Sequence, residues 1–116
     1  MPLAERLAYH WHKLQAIVLL VFGRSAAAGA LFDAMLRRWP DDAYARASRA
    51  HLRAQRGQLQ DAIADAQQLV AAHPTRSAAD WFNLAFMLEK ANRLEDAEAA
   101  FRRAVELDAK LDRGWY

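Results

Sequence analysis

Cysteine is absent from this 116-residue chain, which excludes disulfide frameworks, thiol catalysis and cysteine zinc sites. A reducing compartment fits that absence, and a cytoplasmic location is the expectation. Glycine occurs four times and proline three times, and runs of β-branched residues are nearly missing. Ala, Leu, Gln, Glu and Arg dominate instead, and these lose little conformational freedom in a helix, so an all-α fold is expected. The only apolar run, Leu14 to Phe22, is roughly half the ~20 residues that a membrane span needs. Arg6 and Lys13, that run, and the small residues Ser25 to Ala30 share features with a secretory signal, but Arg24 interrupts the order such a signal requires.

Chemical motifs are equally scarce. No glycine-rich loop could cradle a phosphate, and no serine stands at a nucleophile elbow. His10 and His12 are two residues apart, which splays them across a helix and gives no metal-ligand pair. The expectation is a non-enzyme without cofactor or metal.

Charge is present but unevenly spread. Residues 1–56 carry nine Lys and Arg against four acids, and residues 57–116 carry seven against ten. This polarity can steer partners or help copies meet, while the formal net charge of +2 is too small to imply nucleic acid or a membrane surface.

What the chain has in abundance is internal similarity. Ala16, Ala50 and Ala85, then Gly23, Gly57 and Asn92, then Ala28, Ala62 and Ala97, then Phe32, Ala66 and Phe101, then Pro40, Pro74 and Ala109 each recur after 34 and then 35 residues. Small residues let helices approach closely. Gly or Asn suits a left-handed helix end. Proline stops a helix, and Asp41 or Asp42, then Ser77 or Asp80, can cap the next one. The period predicts units at about residues 9–42, 43–77 and 78–111 in a single domain. Their helices fall at about Leu3–Phe22 and Ala26–Arg38, Ala43–Arg56 and Leu59–Ala72, and Ala79–Ala91 and Leu94–Asp108. Trp115 and Tyr116 repeat Trp81 and Phe82 after 34 residues, so residues 112–116 read as the start of a truncated fourth unit.

The pattern resembles the tetratricopeptide repeat. Trp81, Leu84, Ala85, Leu88, Asn92, Leu94, Ala97, Phe101, Ala104 and Leu107 fall at that motif's large, small and turn positions. The second unit matches at Ser48, Ala50, Gly57, Leu59, Ala62, Ile63, Ala66 and Pro74, and the first more thinly at Ala16, Gly23, Ala28, Phe32 and Pro40. The resemblance implies a right-handed α–α superhelix of three helix-turn-helix repeats, six to seven helices in all. It implies a concave groove that binds a peptide or partner protein without catalysis. The implied groove residues are His10, Lys13 and Ile17, then Tyr44, Ser48, His51 and Gln55, then Phe82, Asn83, Phe86 and Lys90. Ile17 and Ser48 stand where a carboxylate clamp for chaperone tails would need Asn, so that specificity is not expected.

Three features depart from the pattern. Ile17, Val18, Leu20, Val21 and Phe22 nearly encircle the first helix, and a helix apolar all round calls for burial all round. Self-association through this helix or through an uncapped C-terminal end is therefore a rival expectation, as is an accessory role within a longer enzyme. Arg46, Arg49, Arg53 and Arg56 form one helical stripe, the first three at positions equivalent to Trp81, Leu84 and Leu88. Without interleaved aromatics to stack bases, pairing with Asp33, Asp41 or Asp42 is expected over nucleic-acid binding. On the last helix, Glu98–Arg102 and Arg102–Glu106 are spaced for surface pairs.

Overall fold

A computed structural model describes residues 2–113, with side chains from Pro2 to Ala109. It contains six helices, α1 (Leu3–Val21), α2 (Ser25–Arg38), α3 (Ala43–Gln55), α4 (Leu59–Ala72), α5 (Ala78–Lys90) and α6 (Leu94–Arg113). Among the described residues there is no strand. The helices pair in chain order, α1 with α2, α3 with α4 and α5 with α6, and successive pairs stack through α2 on α3 and α4 on α5.

The turns within the pairs repeat one backbone solution. Gly23, Gly57 and Asn92 all take positive φ, at 72°, 79° and 61°. Each following amide reaches back over the helix end, Arg24 to the Leu19 carbonyl, Gln58 to Arg53 and Arg93 to Leu88, at 2.8–2.9 Å. This closes the carbonyls that a helix end leaves unpaired. The connections between pairs are different. Trp39 and His73 precede proline and leave the helical region, as the proline ring demands of its neighbour. Asp42 then caps α3 by accepting from the Ala45 amide at 2.8 Å, and Ser77 caps α5 by accepting from Ala79 at 3.1 Å.

The final helix corrects the expected end at Asp108. Ala109 stands where the earlier units have proline, so nothing stops the backbone, and α6 continues to Arg113. The first two residues of the expected fourth unit, Asp112 and Arg113, thus belong to α6, and Gly114 to Tyr116 lie outside the described residues. Arg102 pairs with Glu98 at 3.0 Å as expected, but Glu106 pairs with Arg103 instead.

Two apolar cores result. One gathers Ala16, Ala28, Phe32, Met35, Leu36, Ala45 and Leu52. The other joins Ala50, Ala62, Ile63, Ala66 and Val70 to Leu84, Ala85, Met87, Leu88, Ala97 and Ala100. The recurrent alanines are almost wholly buried: Ala16, Ala28, Ala62 and Ala85 expose nothing. Their size sets the close helix approach, since a larger side chain would push the backbones apart. Ala16 and Ala28 belong to the segment that shares features with a secretory signal, and they serve here as core.

Candidate functional site

The expected groove residues lie on α1, α3 and α5, the first helix of each pair. Helical spacing puts Tyr44, Ser48, His51 and Gln55 on one side of α3, and Phe82, Phe86 and Lys90 on one side of α5. The structure brings several of them together. The Lys13 ammonium sits 4.4 Å from the Tyr44 ring centroid, linking α1 to α3, an arrangement in which ring electrons attract the cation. His51 bonds Gln55 at 3.1 Å through ring Nε2. His51 and Asn83 line one narrow crevice between α3 and α5, floored by Ala50, Ala66 and Met87. Phe82 and Phe86 both lean on Phe101 of α6, with ring centroids 6.2 and 5.2 Å apart, yet Phe86 remains 57% exposed.

The others stand more separately. His10 meets Tyr9 edge-on, Ile17 is half-exposed, Ser48 is half-buried, and Lys90 is open to solvent. Asp80 beside the crevice is buried, and Arg76 holds it with two bonds at 2.7 and 2.9 Å. Its charge is thereby answered locally. Among the described residues no three His, Asp or Glu are placed to hold a metal ion.

The arginine stripe resolves into a structural network. Asp65, 3% exposed, accepts from Arg49 at 2.7 and 2.9 Å, from Arg53 at 2.8 Å and from Arg46 at 3.4 Å. Arg49 also reaches Asp33 on α2 at 3.0 Å, so one guanidinium joins three helices. Its pKa is raised, first by its bonds to Asp65 and then by Asp33. The expected partners Asp41 and Asp42 are not used: Arg46 turns to the Pro40 carbonyl and Gln68, because Asp42 is occupied as a helix cap. Arg56 reaches Ser25 Oγ at 3.4 Å. Asp65 went unnoticed in the sequence, although the repeat alignment held the signal. Its equivalents are Leu31 and Ala100, so a carboxylate stands at an apolar position opposite three misplaced arginines.

A second ionic tie fastens the start of α1. Glu5 accepts from Arg38 and from the Trp39 indole, the latter at 3.1 Å. The Arg38 hydrogen bond is the main reason the Glu5 carboxyl titrates below its usual range. Nearby, burial first and Asp42 second push the Tyr9 hydroxyl above its ordinary range.

Among the described residues, six helices in stacked pairs, with small residues buried between them and left-handed turns within each pair, define a helical-repeat solenoid. The tetratricopeptide repeat family pattern matches residues 3–43 and 48–112, and the chain belongs to that family. No curated protein matches it. Among solved structures, MamA from Desulfovibrio magneticus RS-1 is similar at TM-score 0.78 and 23% identity, over 87% of this chain and 56% of that one. The chain thus spans little more than half the length of the MamA structures it resembles. The TPR2B domain of yeast Sti1, solved in complex with an Hsp70 peptide, is similar at TM-score 0.80 and 20% identity, over 90% of this chain and 83% of that one. The Yersinia enterocolitica type III secretion chaperone SycD, in complex with a peptide of the translocator YopD, is similar at TM-score 0.79 and 20% identity, over 86% and 76%. Likeness at this identity concerns the fold, a right-handed superhelix.

Proposed function

We propose that the chain is a non-catalytic binding module that takes an extended protein segment along α1, α3 and α5. The observation that carries this reading is the exposed aromatic surface of Phe86 beside Phe82, held in place by Phe101 and continued towards α3 by Asn83 and His51. An apolar ligand side chain would cover the rings. Asn83 can both donate to and accept from a peptide backbone. Lys13 and Lys90 supply point charges for ligand carboxylates. Two structural relatives hold peptides, those of Hsp70 and YopD, which supports the mode of binding and leaves the ligand of this chain open. Because the chain covers about half of the MamA structures, service as one region of a larger protein, an enzyme included, is compatible with the same groove.

Selection of peptides from a displayed library, followed by fluorescence anisotropy, tests the proposal. The Phe82→Ala/Asn83→Ala/Phe86→Ala/Lys90→Ala variant should bind the selected peptides at least ~10-fold more weakly, given the weight that aromatic anchors carry in interfaces. Equal affinity of the variant and the parent chain would remove this face as the site.

A further inference from the structure

The outer face of α1 is built the wrong way round for a helix in water. Leu3, Leu7, Trp11, Leu14, Val18 and Phe22 follow one another at intervals of four, four, three, four and four residues. At 100° per residue they occupy roughly one third of the helix circumference, on the side away from buried Ala16. A surface helix carries its polar residues there. Here the six side chains are exposed to between 45% and 75%. Their exposed portions sum to on the order of 800 Å², above the few hundred Å² a monomer commonly leaves in one apolar patch. That matches what each partner contributes to a standard interface. Trp11, Leu14 and Val18 also border an apolar hollow with Leu19.

The opposite end of the solenoid is no match for this surface. The exposed side of α6 carries Glu95, Asp96, Glu98, Arg102, Arg103 and Glu106, four of them paired along the helix as Arg102–Glu98 and Arg103–Glu106, and its exposed large apolar residues with described side chains, Leu94 and Val105, stand eleven residues apart. A head-to-tail chain of copies would thus set most of the apolar stripe on charges. The α1 stripe is complementary to itself. Turned antiparallel about a point midway between Trp11 and Leu14, it places Leu3 against Phe22, Leu7 against Val18 and Trp11 against Leu14, with each apolar residue meeting another. The helix dipoles then oppose one another favourably. A parallel pair would align the dipoles.

We infer that the partner of this face is a second copy of the chain, and that the protein is a two-fold dimer joined by antiparallel α1 helices. The contact is isologous and closes on itself. It leaves α3 and α5 free, so the dimer carries two copies of the Phe82–Phe86 surface.

Sedimentation equilibrium on the 116-residue chain tests this, with Trp11→Asp/Val18→Asp as the variant. The parent chain should be dimeric at micromolar concentration, and the variant should dimerise at least ~30-fold more weakly, as loss of a central aromatic anchor implies. Both positions face solvent in the monomer, so circular dichroism should show unchanged helix content. Because the native chain lacks cysteine, engineered thiols report the register independently of the aspartates. Leu7→Cys/Val18→Cys should oxidise to a covalent dimer, while neither single variant should. A parent chain that stays monomeric at high concentration overturns the inference, as does a monomer that binds anionic phospholipid vesicles through this face. Ready cross-linking of Leu7→Cys alone overturns the antiparallel register.

Discussion

The second and third helix pairs share a turn geometry and a spacing of small residues, yet they join their helices by different physics. In the third pair, Leu84 and Leu88 of α5 are buried in the same core as Ala97 and Ala100 of α6. In the second, the equivalent positions are Arg49 and Arg53, and Ala100 is replaced by Asp65. One seam excludes water by size and shape. The other encloses a carboxylate and satisfies it with guanidinium groups from the facing helix. Desolvating such charges is costly and their attraction only roughly offsets it, so the ionic seam adds direction more than strength. Arg49 shows what direction means here, because its second bond to Asp33 ties the seam to the preceding pair.

The difference can be broken from either side. Asp65→Ala should have the largest effect, a loss of about 3–5 kcal/mol in urea unfolding, because three arginines lose their common partner in a confined space. Leu88→Ala, the matching insult to the apolar seam, should cost about 3 kcal/mol through lost contacts and a residual cavity. Its cost should be insensitive to salt, whereas the Asp65 variant should recover part of its stability at high ionic strength through screening. Converting the ionic seam into its neighbour's, with Arg46→Trp, Arg49→Leu, Arg53→Leu and Asp65→Ala, should bring stability back to within about 1 kcal/mol of the parent or above it, since apolar replacement of a whole buried ion cluster is often neutral or favourable. A quadruple variant as unstable as Asp65→Ala alone would show that the arginine stems pack in ways leucine cannot reproduce.

The smallest effect belongs to the exposed tie at Glu5. Its folded pKa lies below the ordinary 4.5, chiefly because Arg38 bonds to the charged form. Its contribution is therefore present above that ordinary value and fades as pH falls through the folded pKa. The Trp39 indole proton, followed by NMR, should shift over that acid range in the parent chain and stay still in Glu5→Gln. An identical titration in both would assign the change to another group.

How legible these features were depended on how narrowly each position constrains its residue. A left-handed turn admits little besides Gly and Asn, so Gly23, Gly57 and Asn92 announced three turns that the backbone then displayed. Close helix crossings admit little besides Ala, and those positions were equally plain. The ends before Pro40 and Pro74 were clear for the same reason, and the end of α6 was misplaced because Ala109 imposes nothing. Asp65 escaped notice because acids are seldom buried, and only its three facing arginines make it tolerable inside. The groove was harder still. Its residues follow from register on a known scaffold, and register says which side they share without saying which pairs touch. Lys13 over Tyr44 and Phe86 against Phe101 are contacts between helices that no spacing within one helix could reveal.

The division of the interior into two cores has one more consequence. Among the described residues only α3 contributes to both, Ala45 and Leu52 to one and Ala50 to the other. A stack of this kind behaves as a short one-dimensional chain, in which each unit feels only its neighbours and cooperativity is carried by the links. Here α3 is the link, and Arg49 is the side chain that reaches across it. Loosening α3 would uncouple the halves, so that the molecule would melt in two steps rather than one.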